Sequence, residues 1–251
     1  MEKEKFHPEV ELSELHKTME SLPEVQAGKD LWQNKFHEFD VYGHTVEFVK
    51  HLQAILKKEG KGLDPHLVAA GWLHDIGKPK VAKPKIKDGR SQEREPGKPY
   101  HDFDNHEIEG EKMVREMDKS LFERLGLNQE KVARLVGCHY LPMKGIKRMR
   151  RTRTREEFGK AFEDLEESLE RYGQGGLGFK ISKEEILLMF LADKLAQGDP
   201  EKYCTDREEL FAIRKTLLSK NSEQRQAALR EIYNLQRKRA EEGLRQYEQK
   251  E

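Results

Sequence analysis

Residues 67–79 read LVAAGWLHDIGKP, and this stretch limits what the chain can fold into more than any other. Asp64 and Pro65 supply an N-cap and a first-turn proline, and Gly77 with Pro79 supplies a stop. The spacing therefore predicts a helix over 65–76 that ends just after His74 and Asp75. Val68, Ala69, Trp72, Leu73 and Ile76 leave almost none of that helix for water, so other elements must enclose it. An imidazole beside a carboxylate at its buried end then needs a partner, because burying either group uncompensated is costly. A metal ion is the simplest one, since successive helix residues diverge by about 100° and suit neighbouring positions on one octahedral ion. An isolated His-Asp dipeptide is as readily a structural pair, so the reading depends on the rest of the chain.

The rest of the chain reads as all-α. Asp64, Asn128, Thr154 with Glu157, Ser182 with Glu185, and Asp206 with Glu209 are N-cap positions, and the last three pairs have capping-box spacing. Alternating β-branched runs are missing. Helices are predicted near 8–21, 42–58, 65–76, 105–118, 129–140, 155–172, 183–197, 207–219 and 222–247. Loops are predicted at 78–101, rich in Pro, Gly and Lys, at the glycine cluster 173–178, and at the cation-dominated stretch 144–155. The last helix is charged except for a thin line through Ala228, Ile232, Leu235 and Leu244, which suits a packed-on tail better than a partner-binding helix.

Composition excludes several classes. Lys and Arg number 47 and Asp and Glu 47, so no bulk attraction to polyanions follows and nucleic-acid binding would need local patches. Cys138 and Cys204 have neither metal-site spacing nor a disulfide framework, no stretch reaches transmembrane length, and MEKEKFHPEV lacks a signal-peptide core. The expectation is a cytoplasmic protein with no membrane partner.

Other candidate ligands fall at buried ends or faces of predicted helices. His44 sits a turn before Phe48 at the edge of the face made by Val46, Val49, Leu52 and Leu56. His106 opens a helix in DNHEIEG, where a surface role is equally open. His139 follows Val132, Leu135 and Val136 in the apolar stripe. Asp193 shares a face with Ile186, Met189 and Phe190, where an unpaired carboxylate would demand a cation. This mixed nitrogen and oxygen set suits Mn, Mg, Fe, Ni or Co rather than a cysteine-rich zinc site.

The order His44, His74-Asp75 with Ile-Gly-Lys, His106, His139, Asp193 resembles the HD superfamily of metal-dependent phosphohydrolases. LPEVQAGKDLWQNKFHEFDVYGHT, LHDIGKP, NHEIEG and CHY are similar to the HD region that follows the nucleotidyltransferase domain of some bacterial CCA-adding enzymes, over about 22–198. No glycine-rich nucleotidyltransferase segment with paired aspartates is present, so CCA addition is not implied. The resemblance implies an HD-type helical bundle as a single domain overall, with a lead-in at 1–41, a metal-binding core at 42–200 carrying a basic insertion near 144–155, and charged helices at 201–251. It implies that His44, His74, Asp75 and Asp193 hold the main metal, while His106 and His139 complete a second site or face substrate. One or two divalent ions are expected, and Cys138-His139-Tyr140, which lacks the paired histidines of two-ion members, points nearer to one.

The expected activity is hydrolysis of a phosphomonoester or phosphodiester of a nucleotide or RNA end by metal-activated water. Asp75 or Asp193 would bridge metal and water, and Lys78, leaving the helix beside the dyad, would clamp phosphate, although a lysine there also suits the helix dipole. His37 and Asp40 could line the pocket or face solvent. Lys144, Lys147, Arg148, Arg150, Arg151, Arg153 and Arg155 form an acid-free basic run that would flank the mouth and bind substrate, together with the lysines after the dyad. The alternatives are a catalytically weak module that binds RNA or nucleotide, a dNTP triphosphohydrolase, and a helical scaffold whose histidines are ordinary core residues.

Overall fold

Each N-cap read from the sequence holds a backbone N–H in the computed structural model, which describes residues 12–173, 179–203 and 206–248, the stretch 239–248 by backbone alone. Asp64 accepts from His66 N at 2.8 Å, Asn128 from Lys131 N at 3.0 Å, Thr154 from Glu157 N at 3.1 Å and Asp206 from Glu209 N at 2.8 Å. Ser182 and Glu185 make a complete capping box. The predicted start of the first helix before Leu12, the glycine cluster at 174–178, and Cys204 lie outside the described residues.

The helices are α1 (Leu12–Glu20), α2 (Pro23–Gln26), α3 (Val41–Lys58), α4 (Pro65–Leu73), α5 (Lys78–Val81), α6 (His106–Glu116), α7 (Lys119–Arg124), α8 (Gln129–Cys138), α9 (Leu141–Met149), α10 (Arg155–Gly173), α11 (Lys183–Leu195), α12 (Pro200–Tyr203), α13 (Arg207–Leu218) and α14 (Ser222–Glu248). All nine predicted helices are present and the fold is all-α. The long addition is α9, which takes up the first half of the predicted basic loop because Pro142 opens it and Met143, Ile146 and Met149 bury one face at three-residue spacing.

The predicted loop at 78–101 also carries order. Three short antiparallel ladders pair β1 (Lys83–Pro84) with β6 (His101–Asp102), β2 (Ile86–Lys87) with β3 (Arg90–Ser91), and β4 (Glu93–Glu95) with β5 (Lys98–Pro99). Asp88 and Gly89 take positive φ of 52° and 72° between β2 and β3, the two-residue turn that twists with its strands.

The core is built around α11, buried from Ile186 to Ala196 and packed on α3, α4, α8, α9, α10 and α13. Helix α4 is buried along 67–73 between α1, α3 and α8. Helix α14 packs on α13 and α10 through Leu229, Ile232 and Gln236, so its described part is a packed-on tail. Ala228 and Leu235 are half-buried beside that seam, and the side chain of Leu244 lies outside the described residues.

Candidate metal centre

The polypeptide reverses sharply after the dyad, and Gly77 makes the reversal possible. A Cβ there would lie 2.1 Å from His106 O and 2.6 Å from Gly110 N, so only glycine lets the end of α4 rest on the first turn of α6. That contact brings His74 and Asp75 against His106. Helix α8 delivers His139, the start of α3 delivers His44 and the end of α11 delivers Asp193. The six residues proposed as metal ligands thus meet in one cluster, each less than 7% exposed.

Their hydrogen bonds fix their chemistry. Nδ1 of His74, His106 and His139 faces the carbonyl three residues earlier, Gly71 O at 2.8 Å, Phe103 O at 2.9 Å and Val136 O at 2.6 Å, and His44 Nδ1 faces Ala196 O at 3.1 Å. A carbonyl only accepts, so each Nδ1 carries a proton and each ring turns its Nε2 inward. Burial lowers the pKa of His44 and His106 and brings His139 down to about 3, favouring the neutral form.

The inward nitrogens meet carboxylates. His44 Nε2 lies 3.0 Å from Asp193 Oδ1 and 3.7 Å from Asp75 Oδ2, and His74 Nε2 lies 3.2 Å from Asp75 Oδ2. His106 and His139 present Nε2 to Asp75 Oδ1 at 3.5 and 4.0 Å. Burial pushes both carboxyls up, but the ammonium of Lys78 beside Asp75 and that of Lys194 beside Asp193 help hold them well below the usual carboxylate range. His74 Nε2 and Asp75 Oδ1 are buried side by side in this cluster without a hydrogen-bond partner. Bound cations would give both a partner. The donors form two groups, His44–His74–Asp193 and Asp75–His106–His139, each with its ligand atoms within 4.8 Å of one another.

Other expected site residues fall in different places. Lys78 is buried with Nζ 2.6 Å from both Asp75 Oδ2 and Gln33 Oε1, so its ammonium is already engaged and is not held out as a clamp. His37 stacks edge-on to His44 at 5.3 Å between centroids and bonds Asn34 Oδ1 at 3.1 Å. Asp40 is the cap of α3, accepting from Gly43 N at 2.6 Å and Asp30 N at 2.8 Å. Arg148 and Arg150 turn to other helices, Arg148 to Asp164 at 2.6 Å and Arg150 to the buried Glu209 at 3.4 Å, because α9 buries its apolar face and splays its cations around the remainder. Arg151 is exposed next to Lys147, whose pKa burial lowers, with the charge of Arg151 adding to the effect.

The sequence reading missed four neighbours. Lys194, inside the apolar run of α11, is buried with Nζ 3.3 Å from Asp193 Oδ2. A second charge beside Asp193 was its visible signal. Tyr140 packs edge-on to His106 at 5.2 Å and receives Lys147 Nζ at 2.5 Å on its hydroxyl. Glu107 is buried next to His106 and bound by Lys144. Gln33 carried no sequence signal.

The structure thus gathers four histidines and two aspartates into a buried cluster that could hold divalent metal within a helical bundle. The family model described as HD domain matches residues 41–198, more than half of the chain, and the protein belongs to that family. The search of curated proteins gives no match.

Proposed function

We propose that the protein hydrolyses a phosphomonoester or phosphodiester of a nucleotide or an RNA end. One observation carries the reading: four buried imidazoles, each with Nδ1 on a backbone carbonyl, aim their Nε2 atoms at two buried carboxylates. His44, His74 and Asp193 would hold one ion and His106 with His139 a second, with Asp75 between them. Bound there, a divalent metal supplies an acidic water and neutralises phosphoryl oxygens.

The chain's own groups set the stage for that chemistry. The four backbone carbonyls lock the ring orientations, so no imidazole has to turn when the site loads. Lys194 and Lys78 keep Asp193 and Asp75 ionised and offset part of the acidic charge that would repel a phosphate. Lys144 and Lys147 stand beside Glu107 and Tyr140 next to His106, and they are better placed than Arg148 and Arg150 to receive an anionic substrate. The resemblance read from LPEVQAGKDLWQNKFHEFDVYGHT, LHDIGKP and NHEIEG favours an RNA-end or nucleotide substrate over other phosphoesters.

The test is a phosphate-release screen over nucleotides and RNA ends with Mn, Mg, Ni and Co, run alongside Asp75→Ala. Turnover of one of these classes by wild type, and none by Asp75→Ala, is the expected result. Equal release by both proteins would remove the catalytic assignment.

A further inference from the structure

Lys78 is a buried ammonium held by Asp75 of the ligand set and by groups outside it. It is 6% exposed. Its Nζ reaches Asp75 Oδ2 and Gln33 Oε1, each at 2.6 Å, and lies 5.4 Å from the centroid of the Phe103 ring. A carboxylate, an amide oxygen and an aromatic face thus surround the three ammonium hydrogens. Gln33 is 2% exposed and precedes the family match at residue 41. Its backbone is itself pinned by the excursion between α5 and α6, since His101 N donates to Gln33 O at 2.8 Å and His101 Nδ1 to Trp32 O at 2.9 Å.

The cage loads the bridging carboxylate unevenly. Lys78 takes Asp75 Oδ2, the oxygen that faces His44 and His74, and leaves Oδ1 without a hydrogen bond in front of His106 and His139. Holding one oxygen fixes the rotation of the carboxylate and so aims the other.

We propose that Gln33 is a positioning residue: by completing the Lys78 cage it aims Asp75 Oδ1 at His106 and His139 and thereby sets the affinity of that half of the centre. The inference rests on the two-ion reading above. Without Gln33, one buried ammonium hydrogen has no acceptor, and the flexible lysine stem swings to find one, releasing Oδ2 and the aim of Oδ1. The His44–His74–Asp193 group takes its carboxylate from Asp193 and not from Asp75, so it keeps its affinity.

The experiment is calorimetric titration of the metal-free full chain with Mn²⁺, comparing wild type with Gln33→Leu and Gln33→Glu. Wild type binds two ions. In Gln33→Leu the tighter class is unchanged and the weaker class loses about tenfold, the low end of what the loss of a residue supporting a metal ligand costs. Gln33→Glu, which restores an oxygen to the ammonium, recovers the weaker class. If Gln33→Leu does not fold by far-ultraviolet circular dichroism, Phe103→Leu opens the cage from its other side and must show the same selective loss. Wild-type binding of both classes by a folded Gln33→Leu or Phe103→Leu, or failure of Gln33→Glu to recover the loss, overturns the proposal and leaves the two-ion reading intact. Absence of Mn²⁺ binding by wild type would overturn the two-ion reading itself.

Discussion

The two halves of the metal centre have the same composition and different construction. Each offers two imidazoles and one carboxylate. The first half is drawn from α3, α4 and α11, and its Asp193 has a lysine of its own next in the chain. The second half is drawn from the end of α4, the first turn of α6 and the end of α8, and it shares Asp75 with the Lys78 cage. The first is thus set by packing of long core helices, and the second by a tight glycine turn and by a loop and hairpin excursion that hold Asp75 from outside. Identical donors do not make equivalent sites, because the groups behind the donors set their aim.

The largest effect expected is from Asp75→Ala, which removes the carboxylate of the second half and the oxygen that faces His44 and His74 of the first. Metal content should fall by more than one ion per chain and turnover by more than about 100-fold, beyond the loss of any supporting residue. Elemental analysis, rates and helical circular dichroism of the same preparation check this. The next effect separates the halves. Asp193→Ala should empty the first and His139→Ala only the second, so loss of both ions in His139→Ala would show that the halves bind as one unit.

Chelation comes next. An ion present at 100 times its Kd stabilises the fold by about 2.7 kcal/mol, so EDTA should lower the Tm of wild type and leave that of Asp75→Ala nearly unmoved.

Acid should strike both halves of the metal-free protein together. The folded pKa of His44 and His106 is lowered and that of His139 falls to about 3, against an unfolded value near 6.5. The unfolded chain therefore binds more protons between those limits. The stability contributed by the neutral histidines is complete above pH ~6.5 and is lost as pH falls toward ~3. Thermal melts of chelated protein across that range should show a falling Tm, and a flat profile would place protons on the inward nitrogens already.

The smallest effect concerns the surface cations. Arg148→Ser with Arg150→Ser breaks ion pairs with α10 and α13, and with both arginines about half-exposed it should cost about 1 kcal/mol or less per pair and leave the KM for a short RNA nearly unchanged. Lys144→Ser with Lys147→Ser should raise that KM and reduce its salt dependence by a slope near 0.7 per phosphate contact. Equal behaviour of the two pairs, or of RNA and mononucleotide, would favour a free nucleotide.

Much of this was legible in the chain. The caps at Asp64, Asn128, Thr154, Ser182 and Asp206 and the apolar spacing of each helix determined the all-α class, since these signals act within a turn or two of backbone. His74, Asp75, His139 and Asp193 could be singled out because a polar group inside an apolar stripe is conspicuous without any knowledge of its neighbours. Asp88-Gly89 and Pro96-Gly97 were equally local signals for hairpins, obscured because strands of two or three residues leave no alternation to read. Tertiary structure alone decided the rest. That His106 joins the cluster depends on Gly77 lying against its carbonyl, that Arg148 and Arg150 turn away depends on where α10 and α13 sit, and that Lys78 steadies Asp75 depends on Gln33 and Phe103. These are contacts between residues distant in sequence, and no pattern along one helix encodes which residues will stand across from it.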